Sequence, residues 1–499
     1  MRWIHRLAPE TAATADVVGG KAHGLILLSR LGLPVPAGFV IGTEACRVYL
    51  RDGRLPAGLG AELAAAIAGL ESGTGRTFGG PRRPLAVSVR SGAAQSMPGM
   101  MTTILNVGLT AAATAGLTGD ARFARDARRR FEAGFAAATG DRPVPDDAMG
   151  QLELAVAAVF SSWNTPRART YRELHGIRHD RGTAVIVQAM VFGNRDQQSG
   201  SGVAFSRDPN TGEPTPYGEV LFGHQGEDVV SGTAHTHPLP ELAGREPAVW
   251  AGLRAAMRRV EEQYRDACYL EFTYEAGELW LLQVRPGRFA GPAAVRLATD
   301  LADEGLIGRA EAVLRVSPRH LRHTRRLAAP GDVFARGLGA CPGAAAGRVA
   351  TTADRACRMA ADGPVILIRP ETSPVDLPGL AAAAGVVTAR GGPASHAAVV
   401  ARAMGKPAVV GVAGLTVADG TVRAGGRTIP EGTSIAIDGT SGLVVLGSPP
   451  MTTTAADPHR HRLLRWADEI SGDASPRPDA DRLGAAHRHL TGDQENQSP

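Results

Sequence analysis

The segment from Gly391 to Arg402 constrains the fold of this chain most strongly, because its residue types change abruptly from loop formers to helix formers. It reads GGPASHAAVVAR, so a single histidine, His396, stands where a glycine-rich loop meets an alanine-rich helix. Just upstream, the apolar run Gly385–Thr388 predicts a buried strand. This order places His396 beside the unpaired N–H groups and the positive dipole end of a helix, which together favour anions.

Two interpretations of His396 follow from this placement. The field of the helix disfavours an imidazolium ion, so the ring would stay neutral and act as a nucleophile, and a phosphoryl group on it would be held by the N–H groups. The alternative is a buried histidine that only forms hydrogen bonds within its loop. The glycines, the small neighbouring residues and the motifs elsewhere in the chain favour the nucleophile.

Composition limits the class of protein. The chain has 499 residues, of which 43% are hydrophobic and 21% charged, as in globular proteins with sizeable cores. The formal net charge of +5 is small and the arginines are scattered, so we expect no nucleic-acid partner. The four cysteines form no CxxC pair, and no apolar run reaches membrane-spanning length. Residues 1–10 lack the apolar core of a signal peptide, so we expect a cytoplasmic protein without a membrane partner.

The patterns along the chain predict a multidomain protein of the α+β or α/β class. Residues 1–315 alternate helical and extended patterns, with a mainly helical part at about 115–180, and we interpret them as a nucleotide-binding domain. Residues 316–338 are rich in Arg, His and Pro and predict a linker. A compact unit of short strands and two alanine-rich helices follows at 339–448. Residues 449–499 offer little to bury and predict a disordered tail.

Several side chains of the first domain are candidates for binding phosphate. Lys21 follows Gly19 and Gly20, so backbone and ammonium group could both approach a phosphate; a solvated lysine at a helix-starting turn is the alternative. Arg90 ends a strand, where its guanidinium fork suits a nucleotide phosphate or, alternatively, a surface ion pair. The Gly/Met-rich loop at 95–101 either covers a ligand or packs into the core.

Three further candidates lie on two neighbouring predicted strands. Glu271 alternates with Leu270 and Phe272, so its carboxylate points to the opposite face, where it could hold a Mg²⁺ ion that bridges nucleotide phosphates. Gln283 and Arg285 share a face of the next strand, where the amide suits a hydroxyl or phosphate and the guanidinium suits a phosphoryl oxygen. Solvated positions on edge strands are the alternative for all three.

Taken together, these segments resemble the N-terminal two-thirds of pyruvate phosphate dikinases. The resemblance covers roughly residues 15–450 and favours the phosphate-using dikinase over the water-using phosphoenolpyruvate synthase, which differs around Arg90. The similar segments are 87–109 (VSVRSGAAQSMPGMMTTILNVGL), 187–194 (VQAMVFGN), 200–213 (GSGVAFSRDPNTGE), 225–232 (QGEDVVSG), 371–374 (ETSP) and 388–411.

The resemblance implies an ATP-grasp nucleotide-binding domain followed by a β/β/α phosphohistidine domain that swivels on its linkers. In the family, ATP pyrophosphorylates the histidine, inorganic phosphate removes the outer phosphoryl group, and phosphohistidine remains. ATP, inorganic phosphate and Mg²⁺ are therefore the expected ligands. The implied roles are ATP phosphate binding for Lys21 and Arg90, nucleotide or phosphoryl binding for Gln283 and Arg285, Mg²⁺ binding for Glu271, and phosphorylation for His396.

Three features depart from the family pattern. Tyr269 stands where the family has an aspartate two residues before Glu271, which should weaken Mg²⁺ binding. Ala394 stands where plant-type enzymes carry a regulatory threonine two residues before His396, so we expect that regulation to be absent. Residues 464–470 resemble the lead-in to the family's pyruvate-binding TIM barrel, but the pattern is then lost. We therefore expect a separate barrel protein to supply the pyruvate and phosphoenolpyruvate half of the reaction.

Two other functions stay open at this point. The chain could transfer the phosphoryl group to a different small-molecule acceptor, or it could be a truncated, non-catalytic paralogue that only binds nucleotide. Tyr269 and the weakly patterned tail favour the second of these alternatives.

Overall fold

A computed structural model describes most of the chain, namely residues 2–95, 97, 99–117, 121–140, 142–231, 236–287, 289, 291–322, 324–393, 395–418, 420–453 and 457–495. The protein is a mixed α/β, multidomain structure with several sheets. It divides into two compact units. The first unit comprises Met1–Ser201, Phe222–Gly226 and Leu270–Arg285, and the second comprises Gly202–Leu221, Glu227–Tyr269 and Pro286–Pro499.

The elements up to residue 205 alternate between helices and strands, as the sequence predicts. The strands are β1 (Ile4–Arg6), β2 (Gly38–Ile41), β3 (Thr77–Phe78), β4 (Pro84–Leu85), β5 (Val87–Gly92), β6 (Thr103–Val107), β7 (Ala184–Ala189) and β8 (Gly200–Phe205). The helices are α1 (Ala15–Arg30), α2 (Thr43–Asp52), α3 (Leu59–Thr74), α4 (Ala111–Gly116), α5 (Ala121–Thr139), α6 (Ala148–Ser162) and α7 (Pro166–Leu174).

A five-stranded antiparallel sheet with the order β1-β2-β7-β5-β6 forms the centre of the first unit. The helical pattern predicted at 115–180 is present as α5, α6 and α7. Phe131 of α5 and Phe160 of α6 are fully buried in the same hydrophobic core as Val87 and Val187 of the sheet. These helices therefore help to build the core that holds β5 in place.

The chain then forms a second five-stranded sheet, with the order β10-β9-β8-β11-β12. Strands β8, β9 and β11 each contribute residues to both units. A two-residue turn at Ala276 and Gly277, whose φ values are +51° and +78°, separates β11 from β12. The new elements are β9 (Tyr217–Phe222), α8 (Gly226–Ser231), β10 (His237–Pro238), α9 (Leu242–Arg245), α10 (Pro247–Tyr264), β11 (Cys268–Glu275) and β12 (Glu278–Pro286).

The rest of the chain belongs to the second unit. Its strands are β13 (Arg325–Leu327), β14 (Asp332–Arg336), β15 (Leu338–Cys341), β16 (Ala344–Ala350), β17 (Val365–Arg369), β18 (Gly385–Thr388), β19 (Ala408–Val410), β20 (Thr416–Ala418), β21 (Thr421–Ala424), β22 (Arg427–Pro430), β23 (Ser434–Asp438), β24 (Leu443–Leu446) and β25 (Met451–Thr453). Its helices are α11 (Pro292–Asp303), α12 (Arg309–Arg315), α13 (Ala353–Met359), α14 (Leu377–Ala382), α15 (His396–Met404), α16 (Pro458–Ser471) and α17 (Asp479–Glu495). Within the described residues, no helix has both the length and the apolar character needed to span a membrane.

An eight-stranded sheet with the order β14-β24-β23-β16-β17-β18-β19-β15 dominates this part. Strands β16 to β19 run parallel, as expected for strands linked through helices, and the flanking strands are antiparallel. The buried strand predicted at Gly385–Thr388 is confirmed as β18. Helix α15 packs on the sheet through Ala397, Ala398 and Ala401, whose small side chains allow a close approach to Val386.

The segment predicted as a linker, residues 316–338, contains ordered elements. Val316 and Leu321 are buried, and β13 pairs in antiparallel fashion with β25, which lies after the eight-stranded sheet in the sequence. Strand β14 already belongs to that sheet, so the sheet begins before the predicted boundary at residue 339. The two passages of the chain, into the sheet and out of it, are thus hydrogen-bonded to each other.

The prediction of a disordered tail is wrong for residues 457–495. Helices α16 and α17 form a hairpin that packs on α11 and α12 and buries Leu463, Trp466 and Leu483 beside Leu301 and Val313. Ion pairs join the two helices, from Arg460 to Asp479 and from Arg482 to Asp468. The composition was misleading because the few apolar residues of α16 all lie on one stripe of the helix.

Candidate functional site

Lys21 lies next to a break in α1 that two glycines create. Gly19 has a φ of +79°, and a Cβ atom there would lie 1.6 Å from the carbonyl oxygen of Gly92. The N–H of Gly20 donates to the carbonyl oxygen of Ala93 at 3.0 Å. Any side chain at position 19 would push these segments apart. The glycine pair therefore brings Lys21 against the end of β5. The backbone of α1 is non-helical at Gly19, so the second helical part of α1 begins directly after it, as the sequence predicts.

Arg90 is a buried cation, only 8% exposed. Its Nη1 donates to the carbonyl oxygen of Leu282 at 3.3 Å, and its Nη2 donates to the side-chain oxygen of Gln188. The amide of Gln188 is itself oriented, because its Nε2 donates to the carbonyl oxygen of Pro36 at 2.8 Å. The Nε of Arg90 is buried and has no hydrogen-bond partner within the described residues. A buried N–H in that state is unfavourable, so an anionic acceptor would stabilise it.

The charges of Arg90, Arg285 and Glu271 act on the ionisation of Lys21. Burial lowers the pKa of Lys21 from 10.5 to about 8, the positive charges of Arg90 and Arg285 lower it further, and Glu271 opposes them. Burial also lowers the pKa of Arg90, again against the effect of Glu271. In this group three cations face one carboxylate, an arrangement that attracts a polyanion such as a triphosphate.

Gln283 and Arg285 lie two residues apart on β12 and are half-buried, whereas Val284 between them is buried. Alternation along the strand puts the two polar side chains on one face. Gln283 also follows Leu282, whose carbonyl oxygen receives the Arg90 hydrogen bonds. Arg90, Arg285 and Glu271 are thus close enough to Lys21 to act on its pKa, and Gln283 lies on the strand that carries Arg285.

Glu271 is the carboxylate that the sequence predicts as a magnesium ligand. It is half-buried on β11, whereas Tyr269 is buried with its ring packed edge-on against Phe205, with 4.9 Å between centroids, beside Val203 and Leu221. Position 269 therefore provides no second acidic ligand. In the part of the chain that is described, no three His, Cys, Asp or Glu side chains cluster as metal ligands. One carboxylate fits Mg²⁺ when phosphate oxygens and waters supply the remaining ligands.

His396 is the first residue of α15, which confirms the predicted junction of loop and helix. Ser395 caps the helix, and its hydroxyl oxygen accepts a hydrogen bond from the N–H of Ala398 at 3.4 Å. Gly391 has a φ of +96°, and a Cβ atom there would lie 2.7 Å from the Cβ of Ser395. The turn before the histidine therefore requires glycine. Ala394, the expected site of lost regulation, lies outside the described residues.

The two nitrogens of the His396 ring have different surroundings. Nδ1 lies 3.1 Å from the hydroxyl oxygen of Thr372. A neutral ring protonated on Nδ1 donates this hydrogen bond to Thr372 and keeps the lone pair of Nε2. Burial lowers the pKa of His396, and the negative charge of Asp376 opposes that effect. The sequence predicts a neutral ring, and burial is the largest of the effects on the pKa that favour it.

Asp376, whose negative charge favours a protonated His396 ring, has partners of its own. It is buried, accepts a hydrogen bond from the N–H of Ser373 at 2.9 Å, and pairs with Nε of Arg369 at 3.1 Å. The arginine compensates much of the carboxylate charge. The segment that contains Thr372 and Ser373 was recognised in the sequence, but no role was predicted for either residue.

Arg402 fixes the loop before the histidine and was not predicted. It is 5% exposed and donates to the carbonyl oxygens of Ala340 at 2.9 Å and Pro393 at 2.6 Å. Its guanidinium lies 5.5 Å from the ring centroid of Phe205. The available signal was a lone arginine inside a helix of small residues, where a charged side chain needs buried partners.

The loop at 95–101 packs into the core at the positions described. Met97 and Met100 are buried and belong to a hydrophobic cluster with Trp163. Of the two alternatives that the sequence left open, core packing is therefore the one that applies to these methionines. Ser96 and Pro98 lie outside the described residues.

Comparison with known proteins links both regions to one family. Residues 50–238 match the family described as "Pyruvate phosphate dikinase, AMP/ATP-binding domain", and residues 361–442 match "PEP-utilising enzyme, mobile domain". Over 514 residues the chain is 41% identical to pyruvate, phosphate dikinase 2 of Zea mays, with 91% of this chain and 58% of that protein aligned.

Bacterial relatives are similar to the same extent. The chain is 40% identical over 545 residues to pyruvate, phosphate dikinase of Rhizobium meliloti (strain 1021), and 38% identical over 529 residues to that of Clostridium symbiosum. In both cases the alignment covers 94% of this chain and 60% of the relative. The chain thus spans well under two thirds of the length of these curated relatives.

Proposed function

The chain belongs to the pyruvate phosphate dikinase family, and on that basis we propose that it is an ATP-dependent phosphotransferase that phosphorylates its own His396, with inorganic phosphate as co-substrate. One observation carries the proposal: Nδ1 of His396 is engaged by Thr372, while burial lowers the pKa of the ring. A neutral imidazole with one engaged nitrogen offers the other as a nucleophile.

The proposed reaction consists of two transfers. Nε2 of His396 attacks the β-phosphorus of ATP, the bond from that phosphorus to the α,β-bridging oxygen breaks, and AMP leaves. The ring then carries a pyrophosphoryl group. Inorganic phosphate attacks the outer phosphorus, pyrophosphate leaves, and a single phosphoryl group remains on Nε2. The ring becomes cationic on phosphorylation, and Thr372 accepts the hydrogen bond of the retained Nδ1 proton throughout.

The residues of the first unit would position the triphosphate and neutralise its charge. Lys21 and Arg285 supply positive charge, and the unpartnered Nε of Arg90 supplies a donor for a phosphate oxygen. Gln283 supplies a neutral donor on the same strand face as Arg285. Glu271 would hold Mg²⁺, which when bound offsets the negative charge of the phosphates. Positioning and charge neutralisation account for most of the catalysis in phosphoryl transfer.

The wider architecture belongs to this proposal as well. We infer that the nucleotide site is of the ATP-grasp type and that the domain matched at 361–442 carries His396 on a swivelling movement between nucleotide and acceptor. The names of the relatives point to pyruvate as the acceptor. The pyruvate site would lie beyond these 499 residues, on a separate barrel protein or a further domain.

ATP labelled separately at the β and γ positions tests this function. With inorganic phosphate present, the β label should appear on the protein as an acid-labile group, and the γ label should leave in pyrophosphate. His396→Asn should abolish labelling. The matched control is His461→Asn, because His461 is an exposed histidine on α16. Labelling that persists in folded His396→Asn, or its absence from the folded wild type, would overturn the proposal.

A second candidate function is nucleotide binding without turnover, and the burial of Tyr269 favours it. With a single carboxylate, Glu271, the site could bind ATP while holding Mg²⁺ too weakly for catalysis. Calorimetry distinguishes the two functions. A binder without turnover would show ATP affinity independent of Mg²⁺ and no exchange of label between ATP and AMP. The phosphotransferase would show ATP affinity that depends on Mg²⁺, and label would exchange between ATP and AMP.

A further inference from the structure

The second unit contains a cavity of about 890 Å³ that shares no lining residue with the nucleotide site or the histidine loop. Small-molecule sites commonly have volumes of about 300–1,000 Å³. Five arginines and three histidines line this cavity, against two aspartates. A wall of that composition is suited to a negatively charged ligand.

Two of the arginines that line the cavity have no ion-pair or hydrogen-bond partner for their side chains among the described residues, whereas others form ion pairs. Arg460 pairs with Asp479, and Arg482 pairs with Asp468, so their charges are largely compensated within the protein. The side chains of Arg322 and Arg326 have neither an ion-pair nor a hydrogen-bond partner in the described part of the chain. Two planar guanidinium forks therefore remain available, and such forks bind phosphate oxygens in pairs.

A histidine adds a neutral donor to the same wall. The N–H of Ser317 donates to Nδ1 of His320 at 3.2 Å, so in the neutral ring the proton resides on Nε2. Burial lowers the pKa of His320, and the positive charge of Arg319 adds to that effect, which keeps the ring neutral. His320 thus contributes an N–H donor without adding charge to a wall already rich in arginine.

The cavity lies where the chain passes into and out of the eight-stranded sheet. Arg322 precedes β13 and Arg326 lies within it, whereas Arg460 and Arg482 belong to the helices that follow β25. Strands β13 and β25 are paired. A ligand in the cavity would therefore contact both passages of the chain at once.

We propose that this cavity binds a small molecule that carries a phosphate or diphosphate group. The phosphate oxygens accept hydrogen bonds from Arg322, Arg326 and His320, and the cavity has room for an attached body of nucleoside or sugar size. The site stands on its own lining residues, so it does not depend on the nucleotide chemistry proposed for the first unit.

Isothermal calorimetry with inorganic pyrophosphate tests the proposal. The full chain carries Lys21→Met throughout, to weaken binding at the nucleotide site. Adding Arg322→Gln and Arg326→Gln should weaken pyrophosphate binding at least tenfold. The control pair, Arg325→Gln and Arg358→Gln, removes the same charge from exposed positions outside the cavity and should change the affinity less than twofold.

Three results would overturn the proposal. These are no pyrophosphate binding by the Lys21→Met chain, unchanged binding by the chain that also lacks Arg322 and Arg326, and equal weakening by both arginine pairs, which would show an effect of net charge alone. Circular dichroism and a thermal unfolding curve for each variant confirm that the fold is retained. His320→Gln keeps an N–H donor, so this variant should bind pyrophosphate with an affinity within threefold of the Lys21→Met chain.

Discussion

Burial acts on a titratable side chain both at the proposed nucleotide site and in the histidine loop, but the two side chains end with different charges. Burial lowers the pKa of Lys21 to about 8 and also lowers that of His396 from its ordinary value of 6.5. At neutral pH the lysine remains mostly protonated, whereas the imidazole is neutral. Burial thus leaves a charged lysine at the proposed phosphate site and an uncharged ring at the proposed nucleophile, because the two groups start from different pKa values.

The two regions are also held in place differently. Arg90 is oriented mainly by another side chain, that of Gln188, and by one strand carbonyl. The His396 loop is instead shaped by backbone geometry, through the positive φ of Gly391 and the hydrogen bond from Arg402 to Pro393. We therefore expect substitutions that change charge to affect the first region most. Substitutions that change side-chain size or backbone conformation should affect the second region most.

The largest expected effect comes from a substitution in the second region that stops phosphorylation but leaves ATP binding almost unchanged. His396→Asn should reduce protein phosphorylation by more than about 10³-fold, because the nucleophile is lost, while the ATP affinity changes by less than about twofold. Labelling and nucleotide calorimetry on the same preparation measure both quantities. A parallel loss of ATP affinity would show that the regions are not separable in this way.

Removing Arg90, the buried cation of the first region, should weaken ATP binding. Arg90→Met should weaken ATP binding by about 100-fold, because a charge-assisted donor and a nearby positive charge disappear together. Gln188→Leu removes the side-chain acceptor that orients Arg90 but keeps the charge of Arg90. This variant should weaken ATP binding by about tenfold. Arg54→Met removes an exposed arginine of the same unit and serves as the control. Equal affinities for the Arg54 and Arg90 variants would contradict the assignment.

Replacing Tyr269 by the aspartate that the resemblance implies at this position should reduce stability. In Tyr269→Asp a carboxyl group replaces a ring that packs on Phe205, so the free energy of unfolding should fall by about 2–4 kcal/mol. Tyr269→Phe keeps the ring and should stay within about 1 kcal/mol of the wild type. Urea unfolding measures both variants, and an aspartate variant as stable as the phenylalanine variant would show that the position is not apolar.

The charge of Lys21 should destabilise the ligand-free protein. Because its folded pKa of about 8 lies below the ordinary 10.5, the unfolded chain binds more protons between these pH values, and wild-type stability rises with pH across that window. Lys21→Met should therefore be more stable by about 1–3 kcal/mol below pH 8. The difference should close towards pH 10.5, and a difference independent of pH would contradict the explanation.

The smallest expected effect concerns the orientation of the histidine. Thr372→Val keeps the shape of the side chain but removes the acceptor for Nδ1, so phosphorylation should slow by about tenfold with little change in stability. Thr372→Ser keeps the hydroxyl and should retain most of the rate. On the acid side, both rates should fall only below pH 6.5, where the ring becomes protonated, because burial lowers the pKa of His396. A valine variant that is phosphorylated as fast as the wild type would show that Thr372 does not orient the histidine.

Features that depend on neighbouring residues could be predicted from the sequence. Features that depend on contacts between distant residues could not. The strand, the glycine turn and the helix around His396 are contiguous, so their order and the caps that separate them are visible in one short segment. The bond between Arg90 and Gln188 joins residues 98 positions apart, and that between Thr372 and His396 joins residues 24 apart. No periodicity reveals such pairs.

The helical hairpin at the end of the chain escaped prediction for a related reason. Leu463 and Trp466 are few among charged neighbours, and they gain a core only when α16 meets Leu301 and Val313 of α11 and α12. The burial of Tyr269 was hidden in the same way, because the strands β8 and β9 that provide its apolar surroundings lie far away in the sequence. Tertiary packing, and not local pattern, decides both outcomes.

Identifying which ring nitrogen of His396 carries phosphorus tests the central claim most directly. The protein, labelled with ¹⁵N in histidine, is phosphorylated with ATP and inorganic phosphate and then examined by NMR for the coupling between nitrogen and phosphorus. We predict a single phosphoryl group on Nε2, with the proton retained on Nδ1 beside Thr372. Phosphorus on Nδ1, or on a histidine other than His396, would contradict it.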